Sequence, residues 1–316
     1  MNKILVTGSL GQIGTELVDY LRGIYGSANV IASGRRDKQD SSIVTEGPFE
    51  LLDVTDPKKT ENVVKNNKVN TIYHLASLLS ATGEKDPQAL WNINMNGLIN
   101  VLEAARAQGC SVFYPSSIAV FGAESPKDKT PQVTITRPST IYGISKVAGE
   151  LLCDYYHMKY GFDIRGLRYP GIISNIALPG GGTTDYAVHI FYDAIKHGKH
   201  TCFLKEDTFL DFIYMPDALE GAVKLMEADP AKLRHRNAFN VTAMSITPKQ
   251  LCAEIKKHRP EFTINYEIDP VRQDIADSWP NSIDDSAARS EWGWDPEYNL
   301  EKMTKDMLDV LSARLK

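Results

Sequence analysis

The chain has 316 residues, a formal net charge of −5, 24% charged and 42% hydrophobic residues. That balance describes a folded globular protein and excludes a disordered chain. With mild acidity and no long Lys/Arg run, nucleic acid is not an expected partner, and no apolar run reaches the roughly 18 residues of a membrane span.

The first element is "KILVT" at 3–7, short, apolar and β-branched, which reads as a buried parallel strand. Gly8, Gly11 and Gly14 follow it at once, and Ile13, Leu17, Val18 and Leu21 then recur at helical spacing. A glycine turn between strand and helix lets the backbone of Gly8, Gly11, Gln12, Ile13 and Gly14 approach a pyrophosphate, whose charge meets free amides at the helix N-terminus. The competing reading is a tight turn with no ligand. Because the strand starts at residue 3, no targeting segment is expected before it. The expected compartment is the cytoplasm, with a processed organellar protein as the alternative.

"NVIAS" at 29–33 is the second strand, ending at Gly34, 20 residues beyond Gly14. An Asp or Glu there would bind the adenosine ribose hydroxyls and repel a 2′-phosphate. The chain has Gly34-Arg35-Arg36 instead, two guanidinium groups suited to phosphate, so NADP is expected to be accepted; solvated arginines with NAD are the alternative. Asp56-Pro57 is an N-cap and first-turn pair opening a helix, and Asp86-Pro87 opens a longer one through Ala105. Between and after them lie strand-like "TIYHLA" at 71–76, "SVFYPSS" at 111–117 and "DIRGLRY" at 163–169. Strands alternating with helices predict an α/β fold with a doubly wound parallel, Rossmann-type sheet.

Y-x-x-x-K occurs at Tyr142/Lys146, Tyr155/Lys159 and Tyr192/Lys196. On a helix such a pair shares one face, and a nearby ammonium stabilises a phenolate that can take a proton near neutral pH. Position selects Tyr142, which follows by about 25 residues a strand ending in Ser116 and Ser117 at the sheet's carboxyl edge, where doubly wound sheets bind ligands. Tyr155 is about 140° around the same helix and roughly 20 Å along it, too far to share the site.

After Tyr169 the pattern loosens, with "LPGGGTTDYA" as a loop before a helix near 185–197. The expected division is a nucleotide domain over 1–172, rejoined by "DFIYM", "NAFNV" and the helix between them in 211–241, and a smaller substrate lobe from 173–210 and 242–316. Cys110, Cys153, Cys202 and Cys252 lie far apart with no C-x-x-C pair and no His at ligand spacing, so they read as reduced thiols and no metal is expected.

G-x-x-G-x-x-G, the Ser117 strand and Y-x-x-x-K, in this order, resemble the extended short-chain dehydrogenase/reductase family over most of the chain. The resemblance implies Tyr142 as acid/base, Lys146 lowering its pKa and holding the nicotinamide ribose, and Ser117 bonding the reacting oxygen. It puts Asp53 and Val54 at adenine, Leu75, Ala76 and Ser77 beside pyrophosphate and ribose, Asn96 as the family's helix Asn, and Pro115, Ser116, Tyr169, Pro170 and Ile172 around the cofactor. Plain polar packing is the alternative for Asn96 and Ser116. Within the family, "LLSATGEKDP", "PSTIYGISK", "PGGGTTDYA" and "DSWPNSIDDSAARSEWGW" are similar to short-chain L-threonine 3-dehydrogenases. That branch implies NAD and oxidation of the β-hydroxyl of L-threonine. Ser80, Thr183, Thr184, Asp185 and the backbone at Gly181 and Gly182 are the candidates for the substrate's ammonium and carboxylate; loop capping is the alternative for Ser80 and Thr184. "TFLDFIYM" before "PDAL" is closer to the wider family, which keeps another β-hydroxy-α-amino acid open, and a sugar-nucleotide epimerase or dehydratase is the other alternative, with Arg272 as the one plausible diphosphate ligand. A cofactor-sensing protein without chemistry is the reading outside enzymology. Apolar residues on several faces of the helices at 86–105 and 140–158 predict a homodimer.

Overall fold

The computed structural model describes residues 3–36 and 41–315; residues 1, 2 and 316, at the ends of the expected domain ranges, lie outside the described residues. The strands are β1 (Ile4–Thr7), β2 (Val30–Gly34), β3 (Phe49–Leu51), β4 (Thr71–His74), β5 (Ser111–Ser117), β6 (Ile164–Tyr169), β7 (Gly171–Ile173), β8 (Lys199–Cys202), β9 (Leu210–Tyr214), β10 (Phe239–Asn240), β11 (Met244–Ile246) and β12 (Thr263–Tyr266). Among the described residues the central sheet has seven strands in the order β10-β6-β5-β4-β1-β2-β3, all pairs parallel. Its layers follow from side-chain alternation. In β1, Ile4 and Val6 enter the core that holds Leu17, Val18 and Leu21, while Leu5 enters the opposite core with Leu98, Val101 and Leu102. A strand buried on both faces has no polar position to spare, which is why it reads as an unbroken apolar run.

The chain runs outward from β1 through β2 to β3, then restarts at β4 and runs the other way. Direction therefore reverses between β1 and β4, and their carboxyl ends open a crevice. The glycine turn, the helix Gln12–Tyr25 and the loop after His74 meet there.

The return to the sheet differs from expectation. "NAFNV" supplies β10, which pairs with β6 at the sheet's edge, and the helix Met215–Glu227 buries Ala218, Leu219 and Ala222 in the core shared with Leu17. "DFIYM", however, supplies β9, which joins β7 and β11 in a separate three-stranded sheet. Gly171 explains the pairing: a Cβ there would stand 2.7 Å from the Phe212 ring, so only glycine lets β7 lie against β9. The lobe has its own core, including Tyr186, Phe191, Leu251, Met303, Met307 and Leu311. All four cysteines are buried and unpaired. Among the described residues no helix is long and apolar enough to cross a membrane.

Candidate active site

A cavity of about 240 Å³ lies over the crevice. Its floor is the glycine turn. Gly8 has φ +67°, and a Cβ on it would stand 2.7 Å from the Ala76 amide nitrogen, so β1 and β4 can close up only with glycine here. Gly14 is equally constrained, since its Cβ would lie 2.3 Å from the Gly8 carbonyl oxygen. The helix Gln12–Tyr25 starts at Gly11 with no side-chain cap, so its first amides face the cavity, beside Gln12 and Ile13, without an internal acceptor. Thr7 Oγ1 accepts from the Ala76 amide at 3.3 Å and hydrogen-bonds His74 Nδ1 at 2.9 Å, fastening the two strand ends together. Burial pulls the His74 imidazole down to about 3, with the Lys146 charge adding to the effect, so the ring stays neutral.

The second wall comes from β5 and the helix Ile141–Tyr160. Thr140 caps this helix on the Gly143 amide at 3.0 Å, starting it where Tyr142 and Lys146 point into the cavity. Burial pushes the Tyr142 phenol up to about 12, opposed by a hydrogen bond shared with the Ser117 side chain that favours the phenolate. Ser117 Oγ also accepts from the Ala119 amide at 3.2 Å. Lys146 Nζ donates to the Pro115 carbonyl at 2.7 Å and stands 5.5 Å from the Tyr142 ring centroid. Burial pulls its ammonium down to about 8, while Cys153 and Glu150 act the other way.

The other Y-x-x-x-K pairs fall elsewhere. Lys159 Nζ donates to Tyr155 Oη at 2.6 Å on an exposed face, and Tyr192 Oη accepts from Arg314 at 2.5 Å. Tyr298/Lys302 has the same spacing, and Tyr298 packs against Tyr214 in the lobe.

Leu75, Ser77, Tyr169, Pro170 and Ile172 line the cavity, and on the lobe side so do Ser80, Gly182, Thr183, Thr184 and Asp185. Asp185 Oδ2 already accepts from the Gly181 and Gly182 amides, at 2.8 and 2.6 Å, so in this arrangement those amides are taken by the loop itself. Gly181 does not line the cavity. Burial raises the Asp185 carboxyl above its ordinary value, and the two amides oppose it. Ser80 is buried.

Gly34, Arg35, Arg36, Asp53 and Val54 cluster at the carboxyl ends of β2 and β3, outside the cavity. Burial resists ionisation of Asp53, yet the Thr55 amide at 3.0 Å and hydroxyl at 2.8 Å, with Arg35 and Lys59, hold its carboxyl below the usual range. Arg35 and Arg36 are exposed, and neither forms an ion pair among the described residues. Arg272 stacks on Phe203 with its guanidinium 4.2 Å from the ring centroid, and no arginine is among the residues lining the cavity.

The family model for NAD dependent epimerases and dehydratases matches residues 4–242. This chain belongs to the NAD-dependent epimerase/dehydratase family. An uncharacterized epimerase/dehydratase of Staphylococcus saprophyticus is 52% identical over 316 residues, 100% of this chain and 99% of the relative. The L-threonine dehydrogenase of Clostridium difficile is 56% identical with a TM-score of 0.98, over 99% of this chain and 98% of that one. A monomeric L-threonine 3-dehydrogenase from a metagenome is 44% identical with a TM-score of 0.95, over 99% and 100%.

On the helical segment after Pro87 the structure turns a different asparagine inward from the Asn96 of the sequence expectation. Asn96 is exposed and bonds Asn92 Oδ1 at 2.8 Å, whereas buried Asn94 accepts from the Leu78 amide at 2.8 Å and donates to the Leu78 carbonyl at 3.1 Å and to Ser145 Oγ at 3.3 Å. A π-helical turn over Asn92–Asn96 rotates Asn94 inward. Trp279 and Leu79 also line the cavity and were not singled out in the sequence. The "DSWP" turn carried a signal for Trp279, an aromatic next to proline in an otherwise polar run.

Proposed function

We propose that the protein oxidises the β-hydroxyl of L-threonine to 2-amino-3-oxobutyrate, with hydride passing to a nicotinamide cofactor. The observation that carries this reading is Tyr142, Ser117 and Lys146 converging on one cavity beside an uncapped, glycine-started helix. The open amides and the space that only glycine leaves fit a dinucleotide pyrophosphate. When bound, the cofactor supplies the hydride acceptor. Tyr142 as phenolate takes the β-hydroxyl proton while the Cβ–H electron pair leaves as hydride, and Ser117 holds the same oxygen by a hydrogen bond. Lys146, kept in place by the Pro115 carbonyl, stands where it can bond a ribose hydroxyl and supply positive charge. The Ser80, Thr183 and Thr184 hydroxyls are the groups offered to the substrate carboxylate, and Asp185 is the anion near its ammonium. A cavity without arginine is poorly suited to a sugar diphosphate. The similarity to the Clostridium difficile enzyme supports the choice of substrate.

L-threonine with either cofactor is expected to raise the absorbance of the reduced nicotinamide. Tyr142→Phe is expected to lower kcat by about 10²–10⁴-fold with cofactor affinity retained. Silence with threonine alongside turnover of another β-hydroxy-amino acid would reassign the substrate, and an active Tyr142→Phe would remove the tyrosine from the chemistry.

The finer cofactor reading is that NADP is accepted, held by Arg35 and Arg36 where no carboxylate repels its 2′-phosphate. Gly34→Asp is expected to shift the kcat/KM ratio about tenfold towards NAD, ~1.4 kcal/mol. A Cβ on Gly34 would lie 3.3 Å from Leu10 Cδ1, the end of a side chain that has to give by a few tenths of an ångström. A parent ratio already strongly favouring NAD would refute the arginine assignment. We further read the protein as a homodimer, with 1–172 and part of 211–241 as the nucleotide domain and the rest as the substrate lobe. Four buried free thiols suit the reducing cytoplasm.

A further inference from the structure

Tyr142, Lys146 and Glu150 are spaced four apart on the helix Ile141–Tyr160 and form one inward stripe, but only the first two line the cavity. Glu150 lies behind them, 6% exposed. Arg168 of β6, 7% exposed, grips it at both oxygens, Nε to Oε1 at 2.9 Å and a terminal nitrogen to Oε2 at 2.8 Å. Ser116 Oγ donates to Glu150 Oε1 at 2.5 Å. The rest of the guanidinium is also satisfied, on the Gln132 carbonyl at 3.0 Å and Asn240 Oδ1 at 3.2 Å.

A buried ion pair is a poor way to gain stability, because desolvation offsets most of the attraction, and an apolar pair of similar volume would serve as well. What it supplies here is fixed geometry and one negative charge. Ser116 sits between Pro115, whose carbonyl receives the Lys146 ammonium, and Ser117, which bonds Tyr142. A carboxylate that pins Ser116 therefore pins both neighbours, and the bidentate Arg168 prevents it from changing rotamer. Glu150 is the carboxylate one helical turn from Lys146, whose other titratable neighbours are Tyr142 and Tyr114, with ring centroids 5.5 and 4.9 Å from its ammonium, and buried His74 and Cys153; Asp154, which burial keeps above the usual carboxylate range, is a second carboxyl beside Arg168.

We propose that Glu150, clamped by Arg168, is a positioning residue for the reaction, fixing the end of β5 through Ser116 and keeping the Lys146 ammonium charged. This rests on the oxidoreductase reading above. Its test combines steady-state kinetics with a direct titration of Lys146 in the cofactor-free protein, followed by the 13Cε shift of labelled lysine and assigned by its loss in Lys146→Met. Glu150→Gln keeps the shape and removes the charge. It is expected to lower kcat about tenfold or more, to change the cofactor KM less than threefold, and to move both the Lys146 titration and the alkaline limb of kcat to lower pH. Ser116→Ala is expected to lower kcat several-fold without moving the titration, separating the pinning from the charge.

A folded Glu150→Gln with parental kcat and an unmoved Lys146 titration would overturn the proposal, because a purely structural carboxylate predicts that result. Should Glu150→Gln fail to fold, Ser116→Ala carries the test, and parental kcat in that variant would overturn it. If the parent protein does not turn over threonine, the substrate reading fails, while the Lys146 titration in Glu150→Gln still decides whether Glu150 sets the charge.

Discussion

Asp211, which is not among the residues lining the cavity, shows how a single side chain can set a pH dependence. Burial pushes its carboxyl up to about 7, opposed by the Ile283 amide, which donates to Oδ2 at 2.7 Å, while Oδ1 has no partner. A folded-state value above the unfolded one means that the protonated form is favoured on folding. The contribution is therefore complete below about pH 4 and lost as pH rises through about 7. Asp211→Asn carries no charge to bury. Its stability relative to the parent should grow between pH 4 and 7 and level off above 8, by about 4 kcal/mol. Denaturant unfolding at several pH values checks this, and a pH-independent difference would assign Asp211 a different role. At this scale the sequence was most legible where position could decide: one Y-x-x-x-K among several sat after a strand end, and that one faces the cavity. It was least legible where a neighbour intervenes, as with Asp185, whose capture of the Gly181 and Gly182 amides no spacing reveals.

Among elements, the apolar parallel strands were readable because both faces are buried: "SVFYPSS" is β5, residue for residue. Three-residue β3 was not, since Phe49, Glu50 and Leu51 lie half-buried or exposed at the sheet's edge with no period to detect. The expected helix from 86 to 105 is interrupted by the π turn, and the run "NINMN" offers three asparagines with nothing to tell which turns inward. The turn matters because Asn94 closes both backbone groups of Leu78, in the loop that carries Ser77 and Ser80. Asn94→Ala would leave those groups unpaired, with an expected loss of about 1–3 kcal/mol of stability and a higher threonine KM. Asn96→Ala should change neither. Melting curves and kinetics on the pair check the assignment, and equal effects from both would refute the distinction.

On the scale of the molecule, the helix Ile141–Tyr160 leaves Ile144, Leu151, Tyr155 and Met158 on its surface, 43%, 64%, 45% and 78% exposed. Their spacing of seven, four and three makes one continuous stripe, flanked by exposed Trp91 and Ile99 from the neighbouring helical segment. A second copy related by a two-fold axis would cover it with the same stripe, so light scattering at micromolar concentration should give twice the chain mass. Leu151→Glu with Met158→Glu should halve it. A monomer mass for the parent protein would align it with the monomeric metagenome relative instead.

The cavity takes its walls from residues as far apart as Gly8 and Trp279. A ribosome adding 5–20 residues per second delivers them in a fixed order. The glycine turn, β5 and the Tyr142 helix have all been synthesised by the time about half of the chain is made, whereas Thr184 comes later and Trp279 among the last. Strand β10, which caps the sheet beside β6, arrives only after the three-stranded sheet's β7 and β9 have been synthesised. The nucleotide-facing half of the site is thus laid down well before the residue that closes its far wall, and a chain stalled before residue 279 ends with that wall open.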